Sequence, residues 1–219
     1  MHIKDLHGLK YPDDYFIKFF FKNRLHLTND LSFLELGCSN GNNLMLCYEY
    51  EHNVIGVDLD ESLINYAKSN FNLLNGSGDF VFKNADMQNF CSMNTDLNVD
   101  VLVLANSIYY ITKDEFNNLL INIKKNRIVK SGALIFLRFR DIDDYRFGNG
   151  NKFDDNAFTL DTSDEKGIFC QFYRANEMIN ILTRELDLRS FRIFNIKYQN
   201  LVNNQKVDNS DVVLWGVVN

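Results

Sequence analysis

The chain contains a single proline, Pro12, so its turns must be shaped by glycine, asparagine, aspartate and serine rather than by a ring-locked φ. Cysteine is scarce. Cys38, Cys47, Cys91 and Cys170 form no CxxC pair and have no histidine at metal-ligand spacing. That pattern argues against a disulfide framework or a zinc module and reads as packed, reduced thiols of a cytoplasmic protein. No run approaches the ~20 apolar residues needed to cross a bilayer. The opening Met1-His2-Ile3-Lys4-Asp5 lacks the apolar core of a secretory leader. Positive charge is not in excess either: 23 Lys and Arg face 29 Asp and Glu, a net charge of -6. A dedicated nucleic-acid binder normally presents a basic face, so that class of partner is disfavoured. No internal repeat and no linker is visible.

What is present suits one α/β domain with a sizeable core. The chain has 219 residues, 46% of them hydrophobic, including 19 Phe and 10 Tyr for packing bulk. The many asparagines read as compositional and are assigned no chemistry. From residue 31 onward, short apolar runs alternate with helical patterns, which implies a parallel, doubly wound sheet. Strands are expected over residues 31–36, 53–58, 80–84, 99–104 and 133–139. Helices are expected over 42–50, 61–71 and 114–129. Residues 140–167 are rich in Asp, Gly and Asn and read as a long excursion from the scaffold. A helix over 175–185 then precedes strands at 191–198 and 212–218, which can pair antiparallel across a polar, turn-prone connection at 199–211. Residues 1–30 form an N-terminal extension whose segment 15–21 is a strongly apolar helix.

The candidate site lies where the first strand meets the first helix, in Glu35-Leu36-Gly37-Cys38-Ser39-Asn40-Gly41. A ligand crossing this edge needs close backbone approach, which glycine allows. Asp58 ends the second strand 17 residues after Gly41, where a carboxylate can accept hydrogen bonds from ribose hydroxyls. A dinucleotide site wants GxGxxG. Here those positions hold Gly37, Ser39 and Asn42, which favours a ligand without phosphate and with a positive sulfonium. Other readings stand beside these: Gly37 and Gly41 as ordinary turn glycines, and Asp58 or Asp86 as helix caps.

In order, the segments 35–41, 56–60, 84–86, 99–111 and 131–139 resemble the motifs of class I S-adenosylmethionine-dependent methyltransferases, with Ser39 at the middle glycine of that family's motif. The likeness spans residues 10–218. It implies a Rossmann-like α/β fold, a mostly parallel seven-stranded sheet with an antiparallel last strand, and S-adenosylmethionine as cofactor. It further implies a methyltransferase domain over 31–219, with 1–30 as an extension or lid and 140–167 as an acceptor loop. On the same resemblance, Glu35 and Gly37 lie by the methionine moiety, and Ser39 and Gly41 also bind the cofactor. Asp58, with Leu59 next to it, binds the ribose, Asp86 and Met87 meet the adenine, and Asn106 sits near the methionine end. An NAD(P)-dependent oxidoreductase and a non-catalytic binding module of the same fold are the alternatives.

Methyl transfer from a sulfonium depends chiefly on holding nucleophile, methyl and sulfur in line. After the fourth strand the chain offers Ser107, Tyr109 and Tyr110, none a ready base at neutral pH. Tyr109, Tyr110 and Asp144 are weak candidates and no base is named. His2, His7, His26 and His52 lie elsewhere, with His26 able to approach through the extension. Arg138, Arg140, Arg146 and Lys152 alternate with Asp141, Asp143 and Asp144 around Tyr145. One expectation is that Arg138, Arg140 and Arg146, with Tyr145 and Tyr109, clamp an anionic acceptor. The other is a self-satisfied network of Arg–Asp pairs. The partner expected is a small polar, even anionic, metabolite methylated on oxygen or nitrogen. No metal or membrane is expected, and the protein is read as a monomer or homodimer. The extension is expected to cover the donor site or simply to pack on the core.

Overall fold

The computed structural model describes residues 3–161, 165–202 and 204–219. Met1 and His2 of the extension and residues 162–164 of the excursion lie outside the described residues. Strands β1 (Ser32–Leu36), β2 (Asn53–Asp58), β3 (Phe80–Asn84), β4 (Val99–Ala105) and β5 (Val129–Arg140) form a parallel array. The 3-stranded order β6 (Gly150–Asp154), β7 (Ala157–Leu160), β8 (Phe169–Gln171) makes a separate antiparallel sheet. The last two strands, β9 (Arg189–Val202) and β10 (Gln205–Val218), complete the main sheet in the order β3-β2-β1-β4-β5-β10-β9. β10 runs antiparallel to both of its neighbours. The fold is therefore the Rossmann-like, doubly wound, mostly parallel seven-stranded sheet with an antiparallel last strand.

Helices cover both faces because strand side chains alternate. Leu34, Leu36, Leu102, Leu104, Ile135 and Leu137 point to α5 (Lys113–Lys125) and α6 (Ala175–Leu186), where Phe116, Leu120 and Leu182 are fully buried. Phe33, Val54, Val103, Phe136 and Trp215 point to α1 (Asp14–Lys22), α2 (Asn42–Glu49) and α3 (Glu61–Phe71). Phe136 meets Phe16, Phe19 and Trp215 there, and truncating so central a ring costs about 3–5 kcal/mol. Local signals set the ends: a Thr112–Glu115 capping box starts α5, and Asp60 caps α3 through the Ser62 and Leu63 amides at 2.8 and 3.3 Å. No described helix is long and apolar enough to cross a membrane.

Four segments differ from expectation. A short helix, α4 (Met87–Met93), follows Asp86 where none is expected. α5 stops at Lys125 and β5 starts at Val129, so residues 126–129 are not helical. The 140–167 excursion carries β6 and β7, whose Phe158 and Leu160 join Tyr109, Cys170 and Phe172 in a small apolar cluster. Its outer strand β6 is exposed along its whole length, so its composition imitates a loop. The connection 199–211 is also strand: β9 and β10 pair as far as Val202 and Gln205.

Candidate active site

A cavity of about 740 Å³ opens at the carboxyl edge of the parallel strands, where ligands bind in open α/β sheets. The turn after β1 forms its floor. Gly37 (φ 81) and Cys38 both donate backbone hydrogen bonds to the Val57 carbonyl, at 2.8 and 3.0 Å. A Cβ on Gly37 would sit 2.3 Å from the Ser107 Cβ, so only glycine lets this turn approach the end of β4. Ser39, at the middle glycine position, adopts the left-handed conformation (φ 50) and turns its amide onto Asp58 Oδ2 at 2.7 Å. The Asp60 amide donates to Asp58 Oδ1 at 3.0 Å. Asp58 is thereby oriented at the cavity wall while Asp60 does the capping.

Glu35 is 1% exposed. Its Oε1 accepts a 2.6 Å hydrogen bond from Asn43 Nδ2, and its Oε2 has no partner. Burial, with lesser contributions from Asp13 and Asp58, raises its carboxyl to about 8. Asp86 is both cap and wall: its Oδ1 accepts from the Gln88 and Asn89 amides at 3.0 and 2.9 Å, and the residue lines the cavity with Met87 and Leu59. Asn106 (φ 56), anchored by its amide on the Arg138 carbonyl at 3.0 Å, lines it at the end of β4. Tyr109 and Tyr110 follow on the wall. Burial holds the Tyr109 phenol well above its ordinary range, so it is a neutral hydroxyl rather than a base.

Gly41 falls outside the lining. Its φ of 78 starts α2, and a Cβ there would meet the Phe71 ring at 2.9 Å, so it serves the turn and packing. Asp144 is also elsewhere, 3% exposed and paired with Arg146 at 2.9 Å, which removes it as a base. His26 packs at a tilt against the Phe21 ring and does not line the cavity.

The expected anion clamp is not what the arginines form. Arg138 pairs with Asp13 and Asp211, both at 2.6 Å. Arg140 and Arg146 converge on Glu165, each at 2.5 Å, and Arg140 lies 4.3 Å over the Tyr109 ring. Tyr145 lies against Arg146, and Lys152 pairs with Asp155 at 2.7 Å. The physical reason is burial: a guanidinium taken out of water must be matched by a carboxylate, and this chain supplies them from its own segments. Arg138, Arg140, Tyr145, Arg146 and Lys152 all lie outside the cavity lining. The cavity itself is walled by four carboxylates, Asp13, Glu35, Asp58 and Asp86, and no lining residue is Lys, Arg or His.

The extension covers this site. Leu9, Tyr11, Pro12 and Asp13 form one wall, stitched down by asparagine side chains. Asn40 Nδ2 donates to the His7 and Leu9 carbonyls at 2.9 and 2.8 Å. Asn42 Nδ2 reaches the Tyr11 carbonyl at 3.0 Å, and Asn43 Oδ1 accepts from the Asp13 amide at 2.8 Å. Asn70 exchanges two such bonds with His7. The available signal was position: three of the four sit in or just after the glycine turn.

Residues 33–132 match the methyltransferase-domain family. No curated protein sequence matches the chain. Among solved structures it is similar to an S-adenosylmethionine-dependent methyltransferase of Methanosarcina mazei at 15% identity, covering 89% of this chain and 96% of that one with a TM-score of 0.67. One from Archaeoglobus fulgidus is 15% identical, covers 94% and 100%, and has a TM-score of 0.60. A third, the 1,6-didemethyltoxoflavin-N1-methyltransferase of Burkholderia thailandensis with bound 1,6-didemethyltoxoflavin and S-adenosylhomocysteine, is 14% identical, covers 94% and 78%, and has a TM-score of 0.60. At such identities the likeness is one of fold.

Proposed function

We propose that the chain is a class I S-adenosylmethionine-dependent methyltransferase, whose cavity seats the methyl donor and presents it to a small uncharged acceptor held among Tyr11, Tyr109 and Tyr110. The carrying observation is the cavity's acidic character: four acidic side chains, Glu35 among them ready to ionise beside a cation, and no cationic side chain on its wall. A unit positive charge about 4 Å from one carboxylate gains on the order of 4 kcal/mol at an effective dielectric near 20. The same field repels the pyrophosphate of a dinucleotide, which speaks against the oxidoreductase alternative. It also repels an anionic acceptor, whose proposed clamp is engaged within the protein.

The residues fit the donor. The partnerless Glu35 Oε2 meets a cation, the bare backbone at Gly37 admits a close ligand, and the amide-held Asp58 carboxylate accepts from ribose hydroxyls. Asp86, Met87 and Leu59 flank the adenine, and Asn106 lies at the methionine end. Bound there, S-adenosylmethionine supplies an electrophilic methyl on a sulfonium sulfur. The protein's contribution is alignment and exclusion of water by the strap at residues 9–13. No histidine lines the wall and Tyr109 keeps its proton, so the acceptor brings its own lone pair, as an amine or ring nitrogen does. Four buried free thiols suit a cytoplasmic setting.

Calorimetry with S-adenosylmethionine, S-adenosylhomocysteine and NADH tests the donor reading: the first two bind and NADH does not. Transfer of labelled methyl to a panel of neutral nitrogen heterocycles and their carboxylated counterparts tests the acceptor. Preference for the carboxylated set would overturn that part of the reading.

A further inference from the structure

Asn43 sits on the first turn of α2, 5% exposed, between two elements that do not otherwise bond to each other. Its Nδ2 donates to Glu35 Oε1 at 2.6 Å, and its Oδ1 accepts from the Asp13 amide at 2.8 Å. Asp13 continues the line: its Oδ1 caps α1 through the Tyr15 and Phe16 amides, and its Oδ2 pairs with Arg138 at 2.6 Å. A single polar path thus runs from β5 through the strap to the carboxylate on the cavity floor.

From this geometry we infer that Asn43 is a positioning residue that couples closure of the strap at residues 9–13 to the charge on Glu35. A carboxylate sealed under the strap without a cation leaves Oε2 unsolvated, and the remedy is entry of water, which requires the strap to lift. A cation in the cavity removes that need and strengthens the Asn43–Glu35 bond into a charge-assisted one, so the strap shuts. The titratable groups facing Glu35 are Asp13 of the strap, Asp58 of β2, Cys38 of the glycine turn and Cys47 of α2. The carboxylates can only add negative charge, and burial holds both thiols neutral, so none of the four supplies the missing cation. The consequence for a transferase is ordered closure: a ligand that carries an ammonium or sulfonium to Glu35 shuts its own cover, and the strap opens again once that cation leaves. The identity of that cation rests on the donor reading above; the coupling between Glu35 and the strap does not.

Hydrogen exchange of the amides at residues 9–16, corrected for intrinsic rates and referenced to β4, tests this. In the ligand-free protein strap protection should fall at least about tenfold as pH rises from 6 to 9, with a midpoint near 8. Glu35→Gln should remain protected across that range. Adding S-adenosylmethionine or S-adenosylhomocysteine at pH 9, each of which carries the methionine ammonium, should restore protection in the unaltered chain. Asn43→Leu should exchange fast at every pH even with donor bound. Strap protection independent of pH in the unaltered chain, or the same fall in Glu35→Gln, overturns the inference, and this comparison stands if Asn43→Leu does not fold. If neither compound binds, the donor reading fails while the pH series still decides the coupling.

Discussion

Arg138 at the end of β5 reaches Asp13 Oδ2 at 2.6 Å across 125 residues of sequence, and holds Asp211 of β10 at the same distance with its other terminal nitrogen. One guanidinium therefore fastens the N-terminal strap and the antiparallel last strand to the centre of the sheet. Its side chain is 15% exposed, and its two partners are similarly buried. Arg138→Met leaves both carboxylates without a counter-charge and should destabilise the protein by about 3 kcal/mol. A urea midpoint unchanged within error would show that water replaces the guanidinium at no cost.

Glu35 makes the empty protein sensitive to alkali. Its folded carboxyl lies near 8, above its ordinary 4.5, so the stability linked to it is fully present below pH 4.5 and is lost as pH rises through 8. Linkage at about 1.4 kcal/mol per pH unit bounds the loss at roughly 5 kcal/mol, and strap opening should cap it lower. Urea denaturation at pH 5 and pH 9 should show this decline in the unaltered chain and a flat profile in Glu35→Gln. Parallel profiles would assign the decline to other groups.

Asp58 should govern donor affinity rather than stability. Hydrogen bonds to a charged group contribute about 1.5–3 kcal/mol, so Asp58→Ala should weaken S-adenosylhomocysteine binding by roughly 10- to 100-fold. Calorimetry reads this directly, and a loss of under threefold would place the ribose elsewhere.

Arg146 should behave as a structural residue. It matches the buried Asp144 at 2.9 Å and Glu165 at 2.5 Å, away from the cavity. Arg146→Ala should lower the melting temperature by several degrees while KM for the acceptor stays within about twofold. A tenfold rise in KM with unchanged stability would restore the anion clamp.

His52 should add an acid limit. The buried ring accepts from the Leu31 amide at Nδ1 (3.3 Å) and places Nε2 3.1 Å from the Leu25 carbonyl. This suits the neutral tautomer protonated at Nε2, and burial lowers its pKa below the ordinary 6.5. Stability linked to it is present above pH 6.5 and lost as pH falls through the folded value. His52→Gln should flatten that acid decline in a urea series. An unchanged slope would point to other titrating groups.

Sequence legibility followed the range of each interaction. β2, α3 and β3 lie where periodicity placed them, because alternation and helical spacing are written in neighbouring residues. The β6–β7 hairpin and the far halves of β9 and β10 carry the polar composition of loops: β6 is exposed along its length, and in β10 the buried positions Asn209 and Ser210 are themselves polar. Asp86 shows how two readings coexist: one oxygen caps α4 while the residue still lines the cavity.

Residue order by itself determined the βα alternation, the glycine turn and the acidic end of the second strand, since each depends on contacts or spacings of a few residues. Only the tertiary structure decided which carboxylate each arginine meets, that Asn40, Asn42 and Asn43 bind the strap, and that the charged residues on the cavity wall are all acidic. Those pairings join segments up to 125 positions apart, and composition cannot reveal which buried charge lies within reach of which.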